Sequence, residues 1–167
     1  PSPIEAIVFD LDGTLVDTFE DLVRTSNHVR GLHGLPPLSL PEVEVHVGRG
    51  VRHLVRAILG LREGEEAEAV RQYRDYYRAH LVDASRPYPG VPEALDALAG
   101  IPLGVLSNKP DFETARVVEA LGLSRHLRVV RGGDPHPALK PDPAALIEVL
   151  DALGATLAAS WTLRPTW

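Results

Sequence analysis

The feature that most constrains the fold is a short apolar run near the N-terminus that stops abruptly at two acidic residues. Residues 4–9 read Ile-Glu-Ala-Ile-Val-Phe, and Asp10-Leu11-Asp12-Gly13 follow at once. A run of this length that is rich in β-branched residues and ends in a turn signal is typical of a buried strand. The sequence therefore predicts that both aspartates stand at the C-terminal end of a core strand.

The chain after this strand falls into two parts with different patterns. Within residues 16–84, apolar residues recur at helical spacing around 19–29, 51–59 and 65–81, and 36–41 has the composition of a loop. From residue 85 onward, predicted strands alternate with predicted helices. Such alternation indicates a parallel sheet with right-handed crossovers. We predict an α/β fold: a doubly wound parallel sheet formed by residues 1–15 and 85–167, with 16–84 inserted as a helical domain.

Composition and charge exclude several classes of function. The formal net charge of -6 argues against a nucleic-acid partner, which requires a basic surface. The chain has no cysteine, so disulfides, thiolate metal sites and a cysteine nucleophile are excluded. No run approaches the roughly 18 apolar residues of a membrane span, and the first residues do not resemble a signal peptide. We therefore expect a cytoplasmic protein without a membrane partner.

Asp10 and Asp12 suit chemistry on an electrophile. Residues two apart in an extended segment share one face, and ligands of open parallel sheets bind outside the carboxyl ends of the strands. One carboxylate could attack an electrophile while the other, when protonated, donates to a leaving group. These hard oxygens also suit Mg²⁺. The alternative is an ordinary acidic turn or helix cap, and the Asp-x-Asp spacing alone does not exclude it.

The longer run from Asp10 to Asp17, Asp-Leu-Asp-Gly-Thr-Leu-Val-Asp, is more specific. It resembles the first motif of the haloacid dehalogenase superfamily, whose fold is a Rossmann-like core with a cap domain. The resemblance implies that Asp10 is a nucleophile forming an aspartyl-phosphate and that Asp12 is the general acid and then base. It also implies that Thr14 supports the turn at the phosphate site. Mg²⁺ would be held by the Asp10 carboxylate and the Asp12 backbone carbonyl.

Two later segments match further motifs of the same superfamily. Ser107-Asn108-Lys109 follows the second predicted core strand, where a hydroxyl and backbone N–H groups make an anion site. The resemblance makes Ser107 a phosphate ligand with Asn108 beside it, and Lys109 a further candidate. Lys140 begins a Lys-Pro-x-Pro sequence, and its ammonium would neutralise Asp10 and the phosphoryl oxygens. An ordinary turn and a solvated lysine are the alternatives.

The helical insert contains one further candidate, the loop Gly48-Arg49-Gly50 at the start of a predicted helix. Backbone N–H groups and an Arg at such a place can contact an anion. The loop resembles the substrate-specificity loop of phosphoglycolate phosphatase-like members of the superfamily. A plain turn between two helices remains the alternative.

The resemblance fails towards the C-terminus. Members of the superfamily carry a fourth, acidic motif that adds carboxylates to the Mg²⁺ site, whereas here no Asp or Glu follows Asp151 and the expected position falls near Pro165. The predicted core is therefore incomplete at this end. Because Mg²⁺ aligns and neutralises the phosphoryl group, we expect weak Mg²⁺ binding and impaired activity.

The sequence thus predicts an enzyme, a Mg²⁺-dependent phosphatase that acts on a small phosphorylated metabolite such as 2-phosphoglycolate. Two alternatives stay open: a phosphotransferase of the β-phosphoglucomutase type and a non-catalytic phosphate-binding module. A monomer and a homodimer are both compatible with the sequence.

Overall fold

The computed structural model describes residues 4–134, 138–156 and 160–163, the last four by their backbone alone. Four parallel strands form the main sheet, and a separate antiparallel pair consists of two residues from each strand. In chain order the strands are β1 (Ala6–Phe9), β2 (Val16–Asp17), β3 (Arg86–Pro87), β4 (Leu103–Leu106), β5 (Val129–Arg131) and β6 (Ser160–Leu163). The main sheet has the order β5-β4-β1-β6, which makes β1 an interior strand.

Seven α-helices complete the described part of the chain, together with one 3₁₀ turn at Ser124–His126. They are α1 (Phe19–Leu32), α2 (Leu40–Glu44), α3 (Val51–Leu59), α4 (Ala67–Ala79), α5 (Val91–Ala97), α6 (Asp111–Ala120) and α7 (Pro143–Leu153). No described helix has the length and apolar character that a membrane crossing needs.

Alternate residues of β1 point into two different apolar clusters. Ile7 and Phe9 belong to the cluster that contains side chains of α5 and α6. Ala6 and Val8 belong to the cluster that contains side chains of α7. Because successive side chains of a strand lie on opposite faces, helices cover both faces of the sheet. The predicted doubly wound α/β fold is confirmed.

Helices α1 to α4 pack around an apolar cluster of their own, and all four lie within residues 16–84. This cluster includes Val29 of α1, Val55 of α3 and Tyr73 of α4, each at most 3 % exposed. The chain enters this helical layer through β2 and leaves it through β3, whose residues pair with β2. The buried carboxylate of Asp21 in α1 reinforces this junction by accepting hydrogen bonds from the backbone N–H groups of residues 84 and 85.

The short helix α2 corrects one prediction, because its first two residues lie in the segment 36–41 that the sequence predicts to be a loop. Ser39 precedes this helix, and its backbone N–H donates to the Glu42 carboxylate, 2.8 Å away. This is half of a capping box, which satisfies backbone groups at the start of a helix. The Ser-x-x-Glu spacing was the available signal, and the prolines at 36, 37 and 41 obscured it.

The loop after β5 approaches the start of α6 so closely that only glycine fits. A Cβ on Gly132 would overlap with Asp111 Cα and lie 2.7 Å from the Lys109 carbonyl oxygen. We expect Gly132→Ala to lower the free energy of unfolding by about 3 kcal/mol, the upper range for overpacking. Chemical denaturation measures it. Gly31→Ala is the control: it has open space in α1 and should raise stability by about 0.5–1 kcal/mol. Equal stability of Gly132→Ala and the unchanged chain would contradict this close approach.

Candidate active site

Asp10 lies at the C-terminal edge of the sheet, next to the segment that follows β4. The parallel register pairs Phe9 with Val105. Asp10 therefore lies beside Leu106, the residue just before Ser107. Lys140 reaches the same point from the loop before α7. Its Nζ lies 2.7 Å from Asp10 Oδ1 and donates to the Leu106 carbonyl oxygen at 2.9 Å. The fold therefore brings Asp10, Ser107 and Lys140 to one edge of the sheet. In the chain, about 100 positions separate the first two, and about 30 separate the last two.

The Asp10 carboxylate is mostly buried, with 17 % of the side chain exposed. Burial raises the pKa of Asp10 above its ordinary value, while the neighbouring Lys140 ammonium opposes that rise. Asp10 Oδ1 also accepts a hydrogen bond from the backbone N–H of Leu11, at 2.8 Å. Both of these contacts fall on the same carboxylate oxygen, Oδ1.

Asp12 follows in the turn after β1 and is also held through one oxygen. Its Oδ1 accepts a hydrogen bond from the Thr18 hydroxyl at 2.6 Å and lies 3.0 Å from Lys109 Nζ. Thr18 is the residue just before α1, so the start of the helical layer contributes directly to the position of this carboxylate. Asp10 and Asp12 are thus each neutralised by a different lysine.

Ser107 and Asn108 are buried at the end of β4. Ser107 Oγ accepts from the backbone N–H of Lys109 at 3.1 Å, which closes a tight turn. The Asn108 side chain joins two loops: it donates to the carbonyl oxygens of Gly48 and Lys140 and accepts from the Lys140 N–H. Asn108 therefore positions the segment carrying Lys140, a role that the sequence did not suggest.

The remaining predicted site residues are Thr14 and the loop Gly48-Arg49-Gly50. Thr14 has a buried hydroxyl without a hydrogen-bond partner among the described residues, and its backbone N–H donates to the Leu11 carbonyl within the turn. In the loop before α3, Gly48 and Gly50 have positive φ angles, near 89° and 88°, which favour glycine. Arg49 between them is exposed. This loop contacts the core through Asn108, whose side-chain amide donates to the Gly48 carbonyl oxygen.

The contacts between α4 and the core were missed by sequence reasoning. Glu113 of α6 is buried and accepts from Arg74 at 3.0 Å and from Arg78 at 2.9 Å. Tyr77, between the two arginines on the same helix, accepts a hydrogen bond from Lys109 Nζ at 2.6 Å. The only available signal was that three α4 residues recur at helical spacing and could face one partner.

Carboxylate oxygens such as those of Asp10 are the type of ligand that a hard cation prefers. Within the described residues there is no group of three or more Asp, Glu, His or Cys side chains that could hold a metal ion. The family resemblance implies the Asp10 carboxylate and the Asp12 backbone carbonyl as protein ligands, a small set of the kind that Mg²⁺ supplements with water and substrate phosphate. The predicted position of a fourth motif, near Pro165, lies outside the described residues.

Comparison with known proteins identifies the family. The sequence model of the haloacid dehalogenase-like hydrolase family matches residues 4–161. The chain belongs to the haloacid dehalogenase-like hydrolases. The match includes the turn after β1, the segment after β4 and the loop before α7, which carry the residues described above.

Curated members of this haloacid dehalogenase-like family agree with the assignment. The chain is 38% identical over 160 residues to a phosphoglycolate phosphatase of Agrobacterium fabrum, covering 92% of this chain and 69% of the relative. It is also 38% identical over 155 residues to an N-acetylmuramic acid 6-phosphate phosphatase of Pseudomonas aeruginosa, covering 90% and 69% respectively.

A solved haloacid dehalogenase-like structure gives the same result for the fold. A predicted phosphoglycolate phosphatase of Haemophilus somnus superposes with a TM-score of 0.88 at 31% identity, covering 95% of this chain and 75% of that one. The predicted family, hydrolase class and core architecture are therefore confirmed.

Proposed function

We propose that this chain is a phosphatase of small phosphate monoesters that works through an aspartyl-phosphate on Asp10, with 2-phosphoglycolate as the first candidate substrate. The observation that carries the proposal is the 2.7 Å contact between Asp10 Oδ1 and Lys140 Nζ at the sheet edge where Ser107 also lies. A carboxylate beside an ammonium, at a strand end that also carries a serine hydroxyl, is an arrangement suited to attack on a phosphoryl group.

In the first chemical step, Asp10 Oδ2 attacks phosphorus and forms an O–P bond. The bond between phosphorus and the ester oxygen breaks, and Asp12 in its protonated form donates a proton to that leaving oxygen. Lys140 and the Ser107 turn balance the charge that develops on the phosphoryl oxygens. The products are the free alcohol and Asp10 carrying a phosphoryl group.

In the second step, the Asp12 carboxylate takes a proton from a water molecule as that water attacks phosphorus. The bond between Asp10 and phosphorus breaks, inorganic phosphate leaves, and the Asp10 carboxylate is restored. The proton taken from water returns Asp12 to its acid form, so that the cycle closes.

Mg²⁺ is the proposed cofactor, held by the Asp10 carboxylate and the Asp12 backbone carbonyl. When bound, it supplies further charge neutralisation and alignment of the phosphoryl group. The helices α1 to α4, within residues 16–84, are proposed to act as a cap over this site. A pocket between the two parts supports that role, because it lies beside Asp12 and Lys109 and its walls include apolar residues of the helical layer: Leu22, Val47, Val51 and Leu54.

The proposal is tested by measuring phosphate release from a panel of esters at excess Mg²⁺. The panel contains 2-phosphoglycolate, N-acetylmuramic acid 6-phosphate and β-glucose 1-phosphate, since relatives of equal identity are named for the first two. We expect the highest kcat/KM for 2-phosphoglycolate and no net transfer of phosphate between sugar hydroxyls. Binding of phosphate or vanadate without turnover of any ester would instead favour a binding module.

We further propose that this chain binds Mg²⁺ weakly unless a phosphate anion supplies additional oxygen ligands. The physical reason is that the described residues contain no group of three or more Asp, Glu, His or Cys side chains that could hold a metal ion, so the oxygens of a bound phosphate would have to complete the ligands. Calorimetric titration should show tighter Mg²⁺ binding in the presence of inorganic phosphate than in its absence, and Asp10→Ala should remove the difference. Tight Mg²⁺ binding without any anion would contradict this weak-site proposal.

A further inference from the structure

Lys109 is a buried ammonium whose neighbours come from two separate parts of the fold. Its side chain is 5 % exposed. A buried charge of this kind is costly unless it is paired and hydrogen-bonded. Lys109 Nζ lies 3.0 Å from Asp12 Oδ1 in the core and donates to the Tyr77 hydroxyl oxygen of α4 at 2.6 Å. It also lies 4.5 Å from the centre of the Tyr77 ring.

The surroundings of Lys109 keep it charged. Burial opposes the charge, but the Asp12 carboxylate and the Tyr77 phenol outweigh that effect, and the pKa of Lys109 is raised above its ordinary value. Both described partners of Nζ are protein groups. The structure thus shows Lys109 in contact with the Asp12 carboxylate, and the phosphate contact considered from the sequence stays a prediction.

This contact selects one oxygen of Asp12. Oδ1 is bonded by Thr18 and lies against Lys109, so both of the carboxylate's side-chain partners occupy the same oxygen. A carboxylate held in this way cannot rotate without breaking two charge-assisted contacts. Oδ2 is then the oxygen that can exchange a proton with the leaving group or with water.

Tyr77 links this arrangement to the position of the helical layer. The same face of α4 is tied to the core by Arg74 and Arg78, which both donate to the buried Glu113 carboxylate. A shift of α4 away from α6 would break these ion pairs and withdraw the Tyr77 hydroxyl from Lys109. The state of the Asp12 carboxylate is therefore coupled to the docking of one helix of the cap.

We propose that Tyr77 is a positioning residue for the acid–base step: its hydroxyl holds the Lys109 ammonium against Asp12 Oδ1, leaving Oδ2 for proton transfer. The inference rests on the proposed phosphatase function for its kinetic meaning. The contact itself does not depend on that function, so the two can fail separately.

The kinetic test compares Tyr77→Phe with Tyr73→Phe on two kinds of ester. Both tyrosines are buried on one face of α4 with ring centres 6.1 Å apart, but Lys109 bonds the hydroxyl of Tyr77. The alkyl ester 2-phosphoglycolate needs a protonated leaving oxygen, whereas p-nitrophenyl phosphate has a leaving group that departs readily as an anion. General acid–base catalysis contributes about 10²–10⁴-fold.

We expect Tyr77→Phe to lower kcat/KM for 2-phosphoglycolate about tenfold, a partial loss of that contribution, and kcat/KM for p-nitrophenyl phosphate about twofold at most. The comparison uses kcat/KM because this constant covers the steps up to transfer of phosphorus to Asp10, whereas the later hydrolysis, in which Asp12 acts as the base, is common to both esters. Tyr73→Phe should leave both rates unchanged. An equal loss on both esters would indicate a merely structural role and overturn the proposal. Full activity of Tyr77→Phe on both esters would also overturn it.

A second test needs neither substrate nor Mg²⁺. The chain has two lysines, Lys109 and Lys140, so a protein labelled with ¹⁵N-lysine gives two side-chain ammonium signals at most. The Lys140→Met variant assigns the Lys109 signal, because Lys109 is then the one lysine left in the chain. We expect a slowly exchanging Lys109 signal that is lost or strongly shifted in Tyr77→Phe and kept in Tyr73→Phe. An unchanged signal in Tyr77→Phe would refute the contact, even in a chain without measurable turnover.

Discussion

We expect the replacement of Asp10 with Asn to lower kcat for every phosphate ester by on the order of 10⁴-fold or more, comparable to the loss of a covalent nucleophile in other hydrolases. The amide has nearly the shape of the carboxylate but lacks its negative charge and its nucleophilic oxygen, so it cannot form an O–P bond. The measurement is phosphate release under saturating ester and Mg²⁺, relative to the unchanged chain. Thermal unfolding of the variant checks that it remains folded.

Asp17→Asn is the matched control for this substitution. Asp17 lies on the exposed side of β2 in the same motif, and its Oδ1 accepts from the Phe19 N–H at 3.2 Å, a contact that an amide oxygen can keep. We expect Asp17→Asn to retain the activity of the unchanged chain. If Asp10→Asn kept a tenth or more of that activity, Asp10 would not be the nucleophile.

Replacing Lys140 with Met has the second largest expected effect, a fall in kcat of about 10²–10³-fold, the range for loss of one donor that stabilises the charge of a transition state. Methionine keeps the length of the side chain but removes the ammonium that lies 2.7 Å from Asp10. The attacking carboxylate and the phosphoryl oxygens then repel each other without a cation between them. Steady-state kinetics with 2-phosphoglycolate measure the change.

Arg128→Met controls for the loss of one positive charge. Arg128 is exposed just before β5, and its backbone N–H donates to the Leu103 carbonyl at the opposite end of the strands from Asp10. This variant should lose little activity. A Lys140→Met protein that is no slower than Arg128→Met would show that the ammonium beside Asp10 does not take part in the reaction.

The core of the fold and the Asp10–Lys140 contact could be predicted because they follow from local patterns combined with sheet topology. The apolar run before Asp10 is β1, and the run before Ser107 is β4. Both end at the same edge, because parallel strands point the same way. The motif resemblance then indicated that Lys140 would reach that edge.

The coupling between Tyr77, Lys109 and Asp12 could not be predicted from the sequence. Tyr77 recurs with Tyr73 in an apolar stripe of α4, which is equally typical of a residue that only packs in a core. Its hydroxyl acquires a partner only when α4 docks beside the turn after β4, which is a tertiary event. The β2–β3 ladder escaped prediction for a related reason, since two residues carry too little periodicity to indicate a strand.

The central claim is that phosphorus becomes covalently attached to the carboxylate of Asp10, and chemical trapping tests it most directly. The chain is mixed with 2-phosphoglycolate and Mg²⁺, denatured within the first turnovers and treated with borohydride, which reduces an acyl phosphate to the alcohol. Peptide mass spectrometry should then find homoserine at position 10 and aspartate at position 12. Phosphate release during which aspartate at position 10 stays unmodified at every quench time would contradict the account.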